Sequence, residues 1–146
     1  MAKKIKITVV GSGYVGMSLS VLLAQLNDVT VLDIDAKKVS QINNKKSTVA
    51  DTKIESFLVK KSLSLAATLD KQVAYKDASF IIVATPTNYD SDQNFFDTSS
   101  VDDVVKDALE FNVNALVVIK STIPVGHTKL LKKNLRLSVL FSLLSF

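Results

Sequence analysis

Three of the four glycines in this 146-residue chain stand in one stretch, VVGSGYVG, at residues 9–16. They are Gly11, Gly13 and Gly16, spaced G-x-G-x-x-G between one apolar run and the start of another. No other feature constrains the fold as much. The spacing calls for a strand that stops abruptly, a turn too tight for side chains, and a helix that starts against the strand just left. A chain organised around such a junction is built of strand–helix units.

The remaining pattern agrees. Residues 4–10 read as a strand buried on both faces, and 14–26 as a helix that is apolar almost all round. Residues 29–32 are a β-branched second strand. Asp35 can cap a helix running to about Asn43. Residues 51–61 form a weaker helix and 63–66 a short strand. The run FIIVA at 80–84 is another buried strand, followed by a polar loop at 90–97. Residues 99–111 place Val101, Val104, Val105, Ala108 and Leu109 on one helical face, with Asp102 and Asp103 in the first turn, where the helix dipole favours them. Residues 115–119 are the next strand. Alternating buried strands and helices predict an α/β fold: a Rossmann-type, doubly wound, mainly parallel sheet with helices on both faces. Ligands of such sheets bind beyond the C-terminal ends of the strands. The glycines, Asp33, and the only prolines, Pro86 and Pro124, all fall at such ends.

Composition removes several alternatives. There is no cysteine, hence no disulfide, thiolate metal site or thiol nucleophile, and the single His127 cannot build a metal site alone. The net charge of +4 comes from scattered lysines without interleaved aromatics, which gives nucleic-acid binding no support. No apolar run approaches the ~20 residues of a membrane span. The basic start (Lys3, Lys4, Lys6) leads into a run that ends at Gly11, too short for a signal peptide. A cytoplasmic protein is expected.

The glycine spacing has a chemical reading. Gly11 permits the turn, Gly13 lets a diphosphate approach the backbone, and Gly16 lets the helix pack close to the strand. Exposed N–H groups and the helix dipole hold the phosphates. Asp33 ends the second strand, 17 residues after Gly16, near the spacing at which an acid meets an adenosine ribose. Its carboxylate can accept both ribose hydroxyls and repels a 2′-phosphate, which predicts NAD rather than NADP. Lys38 either reaches the adenosine or is a solvated helix lysine.

Three further segments narrow the chemistry: IIVATPTNYD (81–90), FFDTSSV (95–101) and VIKSTIPVGHT (118–128). With VVGSGYVGMSLSVLL and VTVLDIDAKKV they resemble, in register over residues 4–133, the N-terminal domain of the bacterial UDP-glucose 6-dehydrogenases, of the UDP-glucose/GDP-mannose dehydrogenase family. That family oxidises the C6 alcohol of UDP-glucose to a carboxylate, using two NAD. The resemblance implies cofactor contacts at Gly11, Gly13, Tyr14, Val15, Gly16, Asp33, Lys38, Thr87 and Thr122, with Thr85 a neighbouring candidate and Thr122 an assisting hydroxyl. It implies UDP-glucose as the substrate of the intact enzyme. Dehydrogenases of UDP-N-acetyl-hexosamines share the domain plan, and a non-catalytic NAD-binding module is a further reading. An unrelated short-chain dehydrogenase needs a tyrosine and a lysine spaced along a helix, whereas Tyr75 and Lys76 are adjacent.

The family forms a thiohemiacetal on a cysteine of its C-terminal half and dimerises through a long central helix. Neither is present here, so the expected organisation is an NAD-binding domain at 1–133 and a divergent apolar tail at 134–146, inactive alone and prone to self-association. The tail has a specific expected origin. LFSLLSF (140–146), written as TTA TTT TCT CTC CTG AGT TTT, reads two bases later as Ile-Phe-Ser-Pro-Glu-Phe. The family carries that motif at this point. A shift of reading frame is therefore expected, with natural or deliberate truncation as the alternative.

Overall fold

The computed structural model describes residues 3–135 and 140–142. The chain runs β1 (Lys6–Val10), α1 (Tyr14–Leu23), β2 (Asp28–Leu32), α2 (Ala36–Asn43), α3 (Thr52–Lys60), β3 (Leu65–Thr68), α4 (Lys71–Tyr75) and β4 (Phe80–Val83). Then follow β5 (Asn88–Asp90), β6 (Phe95–Asp97), α5 (Ser99–Phe111), β7 (Leu116–Ile119), α6 (His127–Leu135) and β8 (Leu140–Ser142). Six strands form one sheet in the order β3-β2-β1-β4-β7-β8. Every pairing in it is parallel, β1 lying between β2 and β4 with Val10 opposite Leu32 and Val83. The order reverses at β1, so the first crossover goes one way and the later ones the other. That reversal opens a crevice at the C-terminal edge between β1 and β4.

Alternation along each strand feeds two cores. Val9, Val29 and Val31 turn to the face covered by α1, α2 and α3, where Met17, Val21, Ile42, Ile54 and Leu58 are buried. Val10, Leu32, Ile81, Val83, Val117 and Ile119 turn to the other face, under Tyr75 of α4, Val101, Val105 and Ala108 of α5 and Leu131 of α6. The expected doubly wound parallel sheet with helices on both faces is the fold observed.

Local departures have local causes. α1 stops at Leu23, short of the expected residue 26: the chain tightens there, with Leu26 N–H bonded three residues back to the Leu23 carbonyl, which also accepts from the Asn27 side-chain amide. The polar loop expected at 90–97 is half of a hairpin. Asp90 accepts from Asp92 N and Gln93 N, Asn94 adopts φ +50°, and the Tyr89 and Phe96 rings meet at 4.8 Å across the two strands. α4 has five residues, too few for a periodic signal, yet Asp70 caps it by accepting from Gln72 N and Val73 N. Residue 133, the expected domain limit, falls inside α6, and the backbone of 140–142 extends the sheet. The remainder of the expected tail, and with it self-association through the tail, lies outside the described residues. No helix among the described residues is long and apolar enough to cross a membrane.

Candidate functional site

The glycine loop has the geometry its spacing implied. Gly11 sits at φ +102°, and a Cβ there would lie 2.6 Å from the Ala84 carbonyl oxygen on β4's exit. Its own N–H donates to Leu32 O at 2.9 Å, tying the turn to β2. A Cβ on Gly16 would lie 1.9 Å from Gly11 O, so α1 leaves the sheet at a distance only glycine allows. A Cβ on Gly13 would meet nothing within 4 Å: that side of the loop is open.

The start of α1 differs from those of its neighbours. Asp35, Asp51 and Asp70 cap α2, α3 and α4 by accepting their first N–H groups. α1 begins at Gly13 with no side-chain cap and no acid in its first turn. Its first backbone bond runs from Met17 N to Gly13 O, which leaves the preceding N–H groups facing outward. An uncapped, acid-free helix start above open space suits a diphosphate.

A cavity of about 390 Å³ adjoins it, beyond the ends of β1, β2 and β4. Its walls include Gly11, Asp33, Ile34, Leu69, Thr85 and Tyr75. Asp33 Oδ2 accepts from Ser12 N (2.9 Å) and Ser12 Oγ (2.6 Å), and Oδ1 accepts from Asp35 N (3.0 Å). A carboxylate has about four acceptor positions, so three are occupied. One is free for a ribose hydroxyl, and a second becomes free when the Ser12 hydroxyl rotates away. Receipt of both ribose hydroxyls would thus require the Ser12 hydroxyl to yield one place.

The later candidates gather on the other side of the crevice. Thr87 Oγ1 donates to Thr122 O at 2.7 Å, bridging the loops after β4 and β7. Ser121 Oγ donates to Thr85 O at 2.6 Å, and Ser100 Oγ to Pro86 O at 2.7 Å. The two loops thus form one rim. Tyr14 and Val15 are exposed at the start of α1. Lys38 stands apart, half-buried on α2, outside the cavity lining and with no hydrogen bond or ion pair among the described residues. Also among the described residues, no group of three or more His, Cys, Asp or Glu is placed to hold a metal ion.

Sequence reasoning missed the residues that hold the loop. Thr48 Oγ1 donates to Ser12 O at 2.5 Å, and Tyr14 Oη donates to Asp51 Oδ2 at 2.8 Å. The N–H of Ile54 and then the Tyr14 hydroxyl hold the Asp51 carboxyl below the usual carboxylate range, and that bond pushes the Tyr14 phenol up. Asp51 was legible only as a helix start, and Thr48 carried no signal.

Comparison with known proteins agrees with this arrangement. The family model described as "UDP-glucose/GDP-mannose dehydrogenase family, NAD binding domain" matches residues 5–139. A UDP-glucose 6-dehydrogenase of Streptococcus pneumoniae is 55% identical over 124 residues, covering 85% of this chain and 32% of the relative. One from Campylobacter jejuni is 44% identical over 140 residues, covering 94% and 36%. Among solved structures, a UDP-glucose dehydrogenase from Pyrobaculum islandicum superposes with a TM-score of 0.80 at 21% identity, over 96% of this chain and 35% of that one. The chain therefore spans about a third of the length of the relatives it matches.

Proposed function

The chain belongs to the UDP-glucose/GDP-mannose dehydrogenase family as its NAD-binding N-terminal domain, and we propose that it serves the oxidation of UDP-glucose to UDP-glucuronate. Asp33 carries the cofactor side of this reading: its carboxylate lines the cavity and is fastened to Ser12 of the glycine loop. Bound NAD would supply a hydride acceptor.

The chain's own groups have distinct tasks in this reading. The outward N–H groups at 13–16 receive the diphosphate, and Asp33 orients the adenosine ribose and repels a 2′-phosphate. Thr85, Thr87 and Thr122 shape the rim for the nicotinamide end, and Lys38 adds positive charge on the adenosine side. The sequence has no cysteine, so the thiol step that the family resemblance implies is not carried out by these residues. The sugar site lies in the remaining two thirds of the relatives' length. A cytoplasmic location goes with the proposal, in the compartment that holds NAD and UDP-sugars.

A chimera tests it. Residues 1–133 replace the corresponding segment of the pneumococcal relative, and NADH formation is followed with UDP-glucose and with UDP-N-acetylmannosamine. UDP-glucose-dependent NADH formation is expected, weakened by Asp33→Ala. A folded chimera that binds NAD but forms no NADH with UDP-glucose would overturn the reading of this domain as the cofactor half of such an oxidation.

A further inference from the structure

α1 is apolar on two sides, and the fold described above uses one of them. Met17 and Val21 face α2 and α3, in a cluster with Ile42, Ile54 and Leu58. Leu19, Leu22 and Leu23, with Leu26 in the closing turn, recur at i, i+3, i+4 and i+7, which sets them together on the flank turned away from α3. Leu22 is 61% exposed and Leu26 80%. A helix that is apolar all round is ordinarily buried. α1 is also the only helix among the described residues without a charged side chain.

The sheet beside that flank is open in the same way. Register sets Phe80 opposite Ile7 and Leu116, and Ile82 opposite Val9 and Val118, so these four share the face on which α1 lies. On the reverse face Ile81, Val83, Val117 and Ile119 are buried against α5 and α6, whereas Phe80, Ile82, Leu116 and Val118 are only half-buried. α1 and α2 pack on β1, β2 and β3. Parallel strands are normally covered on both faces. Leu23 joins the two surfaces, because it packs with Phe80 and Ile82 against one cluster around Ile7 and Val9. The result is a single step-shaped apolar surface, with α1 as its ridge and β4 and β7 as its floor. The two strands carry no charge either.

Such a surface fits itself. Turned about a two-fold axis running along the step, the ridge of one copy lies over the floor of the other, and both α1 helices share one layer between two sheets. We propose that this chain pairs with a second copy of itself in this way. Charge complementarity allows it: each copy carries +4 overall, yet the surfaces that meet are neutral, so no like charges oppose each other across the contact. Extent sets the strength. Residues 14–26 rise about 20 Å along the helix, and α1 with two strands is about 20 Å across, roughly 400 Å² in plan on each copy. A standard interface takes about 800 Å² from each partner, so the pair is reversible and micromolar. The pairing is independent of the cofactor reading, because Leu22 and Leu26 lie at the end of α1 remote from the glycine loop.

Sedimentation of the full chain across the micromolar range tests it. The mass should rise from one chain to two and stop there, because a two-fold contact closes. Leu22→Glu with Leu26→Glu places charge in the contact at two exposed positions and should weaken pairing at least about tenfold. The melting midpoint in dilute solution and the NAD affinity should stay at the parent's values. Val118→Thr, an isosteric change on the floor, should weaken pairing severalfold. Leu130→Glu, exposed on α6 at the opposite face, should leave it unchanged. Added salt should leave the pair intact or tighten it, since no ion pairs hold it. A parent that stays monomeric, that assembles without stopping at two, or whose pairing survives Leu22→Glu with Leu26→Glu would overturn the proposal, as would a pair that salt dissociates. A monomeric parent, together with loss of soluble chimera when the chimera carries the same two substitutions, would assign the face to the rest of the longer polypeptide instead.

Discussion

Alanine substitutions at Gly13 and Gly16, three residues apart in the same loop, should have opposite consequences. At Gly16, a Cβ would lie 1.9 Å from Gly11 O and 2.9 Å from Gly11 C. Both are backbone atoms, so relief requires α1 to move off β1. Overpacking of that kind costs about 3 kcal/mol or more, a large share of the roughly 5–15 kcal/mol that holds a domain together. For a chain of this length it lowers the melting midpoint by roughly 10 °C. At Gly13, φ is −78° and ψ −163°, which alanine adopts freely, and no heavy atom lies within 4 Å. Reduced freedom of the unfolded chain stabilises Gly13→Ala by roughly 0.4–1 kcal/mol. The poorer cap offsets this by about half a kcal/mol. The melting midpoint should therefore move by no more than about 2 °C.

Binding should reverse the ranking. A methyl at position 13 would stand on the open side of the loop, where the proposed diphosphate approaches the N–H groups of α1. Loss of two charge-assisted hydrogen bonds at about 1.5 kcal/mol each amounts to about 3 kcal/mol, or roughly 150-fold in NAD affinity. Thermal unfolding by circular dichroism and titration calorimetry read the two effects separately. If Gly13→Ala bound NAD within threefold of the parent, the diphosphate would not lie over this loop. If Gly16→Ala melted like the parent, the close approach would not limit packing.

Other expectations follow from the same geometry. The parent chain should bind NAD more tightly than NADP, and Asp33→Ala should narrow the gap; equal affinities in the parent would refute the role of Asp33. Asp51 has its folded pKa below the ordinary 3.8, so its stabilising effect is present above the unfolded value and is lost as pH falls through the folded one. Asp51→Asn should flatten the loss of urea stability between pH 6 and pH 3, and an unchanged pH profile would count against the Tyr14–Asp51 brace. The 146-residue chain alone should produce no NADH from UDP-glucose above background, because it spans only about a third of the relatives' length, without the proposed sugar site, and holds no thiol; turnover in a preparation free of host dehydrogenase would contradict this.

The fold was legible because its cause is short-range. Each buried parallel strand is an unbroken apolar run, and each helix after it carries a 3.6-residue stripe, so residues 80–83 and 99–111 announced themselves. What stayed hidden depends on pairs distant in sequence. Thr48 meets Ser12 across 36 residues and Tyr14 meets Asp51 across 37, and neither contact leaves a local pattern. α4 failed for a different reason: five residues cannot display a period, so Tyr75 was visible only as a neighbour of Lys76. The hairpin at 88–97 was misread because its turn residues are polar while its pairing rests on two aromatics at its ends.

The treatment of the helix starts ties stability to binding. The chain places an aspartate cap on α2, α3 and α4, and gives α5 an acid in its first turn. Only α1 among these lacks both. A good cap is worth about 1 kcal/mol to a helix, so α1 begins in a less stable state than the same sequence permits. The deficit is not made good inside the loop. Ser12 is turned toward Asp33, Thr48 holds the Ser12 carbonyl, and Tyr14 is drawn away to Asp51. Each of these bonds fixes the loop's shape without covering the N–H groups of α1. An acid at Gly13 would satisfy those groups and also repel a diphosphate, so capping and binding compete for one set of donors. The free chain leaves the donors open, and in the proposed reading a bound diphosphate supplies the missing cap.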